Sequence, residues 1–264
     1  MMSTTLQAKT YCKKGGFTLV EMAMVLLIVA LLLGGLVPSI SSQIEQRRIS
    51  ETNRQLDDIR EALIGYAVIN GRMPCPAVSG SNGIESPSTG GNCTYFSNNT
   101  NANDNYLPAV TLGLPGTNSA GLLADAWGNP IRYAVTSWSY TGPPGVSNVF
   151  TTQGGMSSAG ITNLSPTLTV CSTASGISGS NCASGATLAS NAVAVIYSTG
   201  KNGASGGAGA DEAENLSPNG TDNHGYVFVS HVPSATSGNE FDDIVTWVSP
   251  NVLINRMVAA GKLP

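Results

Sequence analysis

Charged side chains are scarce in this chain: Lys, Arg, Asp and Glu make up 11% of 264 residues, and their balance is acidic, at −4. So few cations give no basic face to hold a phosphate backbone, so nucleic-acid binding is not expected. There are only two histidines, His224 and His231, and neither has an acid or cysteine at a spacing that suggests catalysis. No Cys-x-x-Cys pair offers a zinc site, and no Gly-Lys-Ser/Thr follows the glycine-rich stretch Gly200 to Gly209 to make a phosphate loop. These absences point away from an enzyme and toward a structural or interaction protein.

Charge is most completely absent near the N-terminus. Lys9, Lys13 and Lys14 precede Gly15-Gly16, with no acidic residue among positions 1 to 16, and from Phe17 to Val37 the one ionisable side chain is Glu21. As a helix those 21 residues would extend roughly 31 Å, close to the roughly 30 Å of a bilayer's hydrocarbon core. The lysines hold the N-terminus in the cytoplasm and send the rest outward. An ordinary secretory signal also has a basic start and an apolar centre. Three features argue against it: a carboxylate inside the apolar segment, paired glycines before that segment, and a helical pattern that continues beyond it. Cys12 precedes the apolar stretch, which argues against a lipoprotein anchor.

The run Lys13-Lys14-Gly15-Gly16-Phe17-Thr18-Leu19-Val20-Glu21 resembles the processing and assembly signal of type IV pilins and type II secretion pseudopilins. The resemblance implies cleavage after Gly16 by a prepilin peptidase, methylation of the new amine on Phe17, and retention of the apolar helix. Glu21 then becomes the fifth residue of the mature chain and needs a cation, for which a Phe17 amine is nearest. Pro38 falls where the family places a helix-bending proline, so a kink or melted turn near Gly34, Gly35 and Pro38 is expected. The implied partners are the peptidase, other pilin or pseudopilin subunits, the inner-membrane assembly platform and the membrane. The implied location is a single pass through the inner membrane with a periplasmic head, then a filament. The expected function is that of a structural subunit of a type II secretion pseudopilus or related type IV filament; the alternatives are a major or minor type IV pilin for adhesion, motility or uptake, and a non-polymerising, membrane-anchored binding module.

The expected organisation is a leader (1–16), a transmembrane and assembly helix (17–38), its amphipathic continuation (39–70) and a pilin-like head (71–264). The fold class is α+β, a long N-terminal helix packed on an antiparallel sheet with disulfide-tethered loops. Ile44, Ile49, Leu56, Ile59, Leu63, Ile64 and Ala67 recur at helical spacing among charged residues, and Asn70-Gly71 followed by Pro74 and Pro76 ends the helix. Once the leader's lysines are removed, 9 basic residues face 16 acidic ones. Of the three connectivities open to Cys75, Cys93, Cys171 and Cys182, the local one (Cys75 with Cys93, Cys171 with Cys182) is favoured, because each pair brackets a Gly/Ser/Asn-rich loop in an oxidising compartment. The stretch Ala77 to Asn105 reads as a disulfide-pinned loop without chemistry.

Asp125-Ala126-Trp127-Gly128-Asn129-Pro130-Ile131-Arg132-Tyr133 resembles a turn-and-strand of the major pseudopilin, with Trp127 expected as a core anchor and Ile131, Tyr133 and Val135 on one strand face. Further strands are expected at Ala192 to Thr199, Gly225 to Val232 and Ile244 to Val248. A short helix of Val252, Leu253, Met257 and Val258 should follow Ser249-Pro250 and stop at Gly261. That last helix, the larger head and the Cys171 to Cys182 loop depart from the major pseudopilin. In that subunit a loop binds calcium, and the resemblance offers Asp211, Glu212, Asp242 and Asp243 as oxygen ligands, the other reading being plain surface acids.

Overall fold

The computed structural model describes residues 16–94, 105–203, 209–216, 226–236 and 238–263, and within 33–40 it describes the helical backbone without side chains. The leader with Cys12 and Gly15, loop residues 95–104, segment 204–208, and segment 217–225 with His224 and Gly225 lie outside the described residues. The chain divides into two compact units, Met1–Arg47 and Arg48–Pro264.

The first unit holds the beginning of α1 (Leu19–Asn70), a helix of 52 residues. Every large apolar side chain described from Phe17 to Leu32 is exposed, as are Glu21 and the alanines between them. Among the described residues no helix is long and apolar enough to cross a membrane. α1 runs without a break through Gly34, Gly35 and Pro38, so the melted turn expected there is absent. A proline removes one backbone donor, and the bonds on either side continue the helix.

In the second unit α1 turns one stripe inward: Thr52, Leu56, Ile59, Leu63 and Ala67 are all buried, at the i, i+4, i+7 spacing of a helix face. Ile44, counted with that stripe in the sequence, is exposed. Gly71 ends α1 in a left-handed conformation (φ 69°), its N–H returning 2.8 Å to Ala67 O.

β1 (Arg132–Val135), β4 (Ala194–Ser198) and β8 (Ile244–Val248) form an antiparallel sheet in the order β1-β4-β8. Tyr133, Val135, Ala194, Ile196 and Val248 face a core shared with α1 and with α4 (Pro250–Ala259). The alternate residues Ala134, Val195 and Tyr197 face a second core built on Leu168, Val170 and Phe228. That second core belongs to another three-stranded sheet, β3-β2-β5, made from β2 (Leu168–Cys171), β3 (Thr187–Ala192) and β5 (Val227–Val229). The head therefore has three layers, helices, sheet and sheet.

Two expectations are corrected here. The strand expected from Ala192 to Thr199 is two, because the chain bends at Val193 and passes from one sheet to the other. The strand expected from Gly225 to Val232 forms only over Val227–Val229 among the described residues 226–232, and it pairs parallel with β2 rather than joining one antiparallel sheet. All three of its residues are buried, as befits a strand covered on both faces. The short helix expected after Ser249-Pro250 is α4, which begins at Pro250 and ends before Gly261; Leu253 and Met257 on it are buried and Val252 and Val258 exposed, because residues i and i+4 share one face.

Smaller elements lie in the connections of the head. A hairpin joins β6 (Ser234–Thr236) and β7 (Asn239–Phe241), and short helices α2 (Gly155–Ala159) and α3 (Ala210–Leu216) lie in the connections. Cys75 is bonded to Cys93 and Cys171 to Cys182, the local pairing.

Candidate functional site

The N-terminal run starts as coil at Gly16, Phe17 and Thr18, and helix begins at Leu19. Thr18 caps it: its hydroxyl oxygen accepts from the Glu21 N–H at 3.2 Å and its carbonyl from the Met22 N–H at 3.2 Å. Glu21 thus occupies the third helical position, where a carboxylate meets the positive end of the helix dipole. Phe17 is 78% exposed. A Cβ added at Gly16 would meet no atom within 4 Å, so the fold does not demand glycine there.

The second constellation is acidic and lies in the head. Glu212, in the first turn of α3, and Asp242 and Asp243, between β7 and β8, each bring a carboxylate oxygen within 4.8 Å of the others. Asn202 donates to both oxygens of Glu212, at 3.1 and 2.9 Å, and the Asp242 N–H donates to Glu212 Oε1 at 3.0 Å. Asn215 donates to Asp243 Oδ2 at 2.7 Å, and it also bonds the Val229 N–H and carbonyl, which ties α3 to β5. Burial pushes the Asp243 carboxyl up to about 8, aided by the charges of Glu212 and Asp242 and opposed by the Asn215 hydrogen bond. The donor set is all oxygen with several negative charges, which fits a hard divalent cation and not a thiophilic metal.

Of the four acids drawn from the sequence, Asp211 stands apart. Its Oδ1 accepts from Thr173 Oγ1 at 3.2 Å and from the Ala174 N–H, and its Oδ2 faces His231 Nε2 at 3.1 Å. Successive residues at a helix start point in different directions, so Asp211 and Glu212 serve different neighbours. His231 is not in a strand; it stacks on Phe241 with ring centroids 3.9 Å apart and has the acid partner that sequence spacing did not reveal.

The turn at Asp125 supports this region. Asp125 is buried; its Oδ1 accepts from the N–H groups of Trp127 (2.9 Å) and Asn129 (2.8 Å), and its Oδ2 from the Ser198 hydroxyl. Asn129 donates from its side chain to Gly200 O. Gly200, at φ 60°, lies so close to Asp242 that an added Cβ would stand 2.5 Å from its carbonyl oxygen. Trp127, expected as the core anchor, is half-buried, and its indole N–H meets no acceptor among the described residues. Asp125, Ile131 and Tyr133 are the buried members of the motif.

One buried site escaped the sequence reading. Arg72 and Glu85 form a two-bond pair, both at 2.7 Å, and Tyr66 OH (2.9 Å) and the Cys75 N–H (2.9 Å) also donate to Glu85. Burial, then the bond to Glu85, pushes the Tyr66 hydroxyl up to about 12. The signal was Glu85 itself, the one acid within the polar loop Ala77 to Asn105 apart from Asp104.

Residues 12–37 match the family model of the prokaryotic N-terminal methylation motif. This is the prepilin-type signal of type IV pilins and pseudopilins, and such a signal implies processing by a prepilin peptidase and assembly with other pilin-like subunits. No curated protein and no solved structure matches the chain.

Proposed function

We propose that this chain is a non-catalytic structural subunit of a type II secretion pseudopilus or related type IV filament. The observation that carries this reading is the methylation motif over residues 12–37. In this reading the leader is cut after Gly16, Phe17 becomes the methylated N-terminus, and the apolar run to Val37 holds the chain in the inner membrane until assembly. Glu21 sits in that apolar run four residues beyond the new amine, and a neighbouring Phe17 amine neutralises it, which sets the stagger between subunits. The turn at Asp125 to Tyr133 favours the pseudopilus over an adhesive or motile pilus.

Gly16→Ala and Glu21→Ala test the reading in the full chain. Open space around Gly16 means that its alanine variant keeps the fold. The expected result is an uncleaved precursor for Gly16→Ala, and normal cleavage without sedimentable filaments for Glu21→Ala. Normal processing of the first, or undiminished filaments from the second, would sink the proposal.

The acidic cluster extends the reading to the head. Glu212, Asp242 and Asp243 would hold a calcium ion, whose charge offsets carboxylates that burial otherwise disfavours. Calcium here consolidates the loops before β8. Calorimetric titration of the full chain with calcium that shows neither heat nor stabilisation would dismiss this part alone.

A further inference from the structure

Three charges on the head portion of α1 are left without a bonded partner among the described residues. Glu51, Arg54 and Asp58 are exposed and make no ion pair or hydrogen bond among the described residues. Their neighbours do: Asp57 pairs with Arg60 at 3.1 Å, and Glu61 with Arg256 at 3.7 Å. Together with Gln55 the three line a groove of about 310 Å³, whose other wall is Ala124, Asp125 and Ala126.

Bonds between its walls keep that groove in shape. The Ala126 N–H donates to Thr52 Oγ1 at 3.3 Å and Gln55 Nε2 to Ala124 O at 3.0 Å, while Asp125 holds its own turn. Three carboxylates and one arginine leave the groove a formal charge of −2. Arg47 and Arg48, the two cations just before it on the same helix, are exposed and likewise have no ion pair or hydrogen bond among the described residues.

We propose that this groove receives Arg47 and Arg48 of a second copy of the chain, an interface that rests on the assembly reading above. Within one copy neither arginine bonds Glu51, three and four residues further along the helix, and Asp58, ten and eleven residues further, is beyond their reach. The midpoint of Glu51 and Asp58 lies about seven residues beyond the arginine pair, so two parallel copies displaced by about 10 Å bring the opposite charges together. The displacement carries Arg47 and Arg48 toward the C-terminal end of the neighbouring helix, the same sense in which a Phe17 amine advances to a neighbour's Glu21. Such a contact is head-to-tail, so it propagates instead of closing on a dimer. Exposed charges also make it salt-sensitive.

Paired cysteines test it in the full chain, in membranes where it is processed and assembled. With Cys12→Ser, the four remaining cysteines are those bonded to one another. Arg48→Cys and Asp58→Cys on one chain lie ten residues apart on a helix, about 15 Å, too far to bridge within a copy. Oxidation should give a covalent ladder of multimers, and each single variant should give none. Charge exchange is the second arm. Arg47→Glu with Arg48→Glu should lower sedimentable polymer about tenfold, and adding Glu51→Arg with Asp58→Arg should restore it. Covalent dimers without a ladder, or polymer indifferent to both exchanges, would overturn the groove contact while leaving the assembly reading intact. Absence of any polymer from the unaltered chain would overturn both.

Discussion

Arg72 with Glu85 and Arg60 with Asp57 are both arginine–carboxylate contacts, and burial separates their worth. The first pair is 6% and 4% exposed at its side chains, the second 36% and 60%. Removing one partner of a buried pair strands the other without water, at a cost of about 3–5 kcal/mol, whereas an exposed pair is worth about 0–1 kcal/mol. Glu85→Ala should therefore lower the unfolding free energy by several kcal/mol, and Asp57→Asn should leave it nearly unchanged. Trp127, Trp138 and Trp247 all lie in the head, so tryptophan fluorescence during urea unfolding of the full chain in detergent reads both. Asp243 makes a prediction with a sign. Its folded value of about 8 lies above its ordinary 3.8, so the folded head binds this proton more tightly than the unfolded chain does. Its contribution is thus complete below pH 3.8 and is lost as pH rises through about 8. With chelator present, head stability should fall across that window by up to about 1.4 kcal/mol per pH unit, and Asp243→Asn should flatten the slope.

Among the elements, α1 was the most legible, because a helix facing one core repeats its apolar side chains every three to four residues. Leu56, Ile59, Leu63, Ile64 and Ala67 kept that spacing and are buried. Leu63→Ala should cost about 2–5 kcal/mol by the same unfolding assay, while Ile44→Ala, at an exposed position, should cost little. The second sheet was not legible. β3 reads Thr-Leu-Ala-Ser-Asn-Ala and is mostly exposed, so it has no apolar alternation to mark it. β2 reads Leu-Thr-Val-Cys and is buried throughout, and four residues are too few to distinguish a strand from any other apolar stretch. The parallel pairing of β2 with β5 joins residues nearly sixty positions apart, which local pattern cannot report. The candidate sites divide the same way. Gly16, Phe17 and Glu21 are contiguous in sequence, whereas Glu212 meets Asp242 and Asp243 only through the fold, and the same fold sends Asp211 to His231.

At the scale of the whole molecule, assembly and head stability rest on different residues and should be separable. Glu21 is exposed near the start of α1, in the unit Met1–Arg47. Glu212 is 1% exposed, inside the unit Arg48–Pro264. A ligand that binds only the folded state stabilises it by about 2.7 kcal/mol at a hundredfold excess over its dissociation constant. Saturating calcium should therefore raise the thermal midpoint of the full chain by several degrees, and Glu212→Gln should erase most of that rise. Glu21→Ala should leave the calcium-dependent rise unchanged while abolishing filaments. If Glu212→Gln retained the full rise, the ion would have to bind elsewhere. If Glu21→Ala abolished the rise along with the filaments, the head would owe its calcium response to neighbours in the polymer, and the cluster would act between subunits rather than within one.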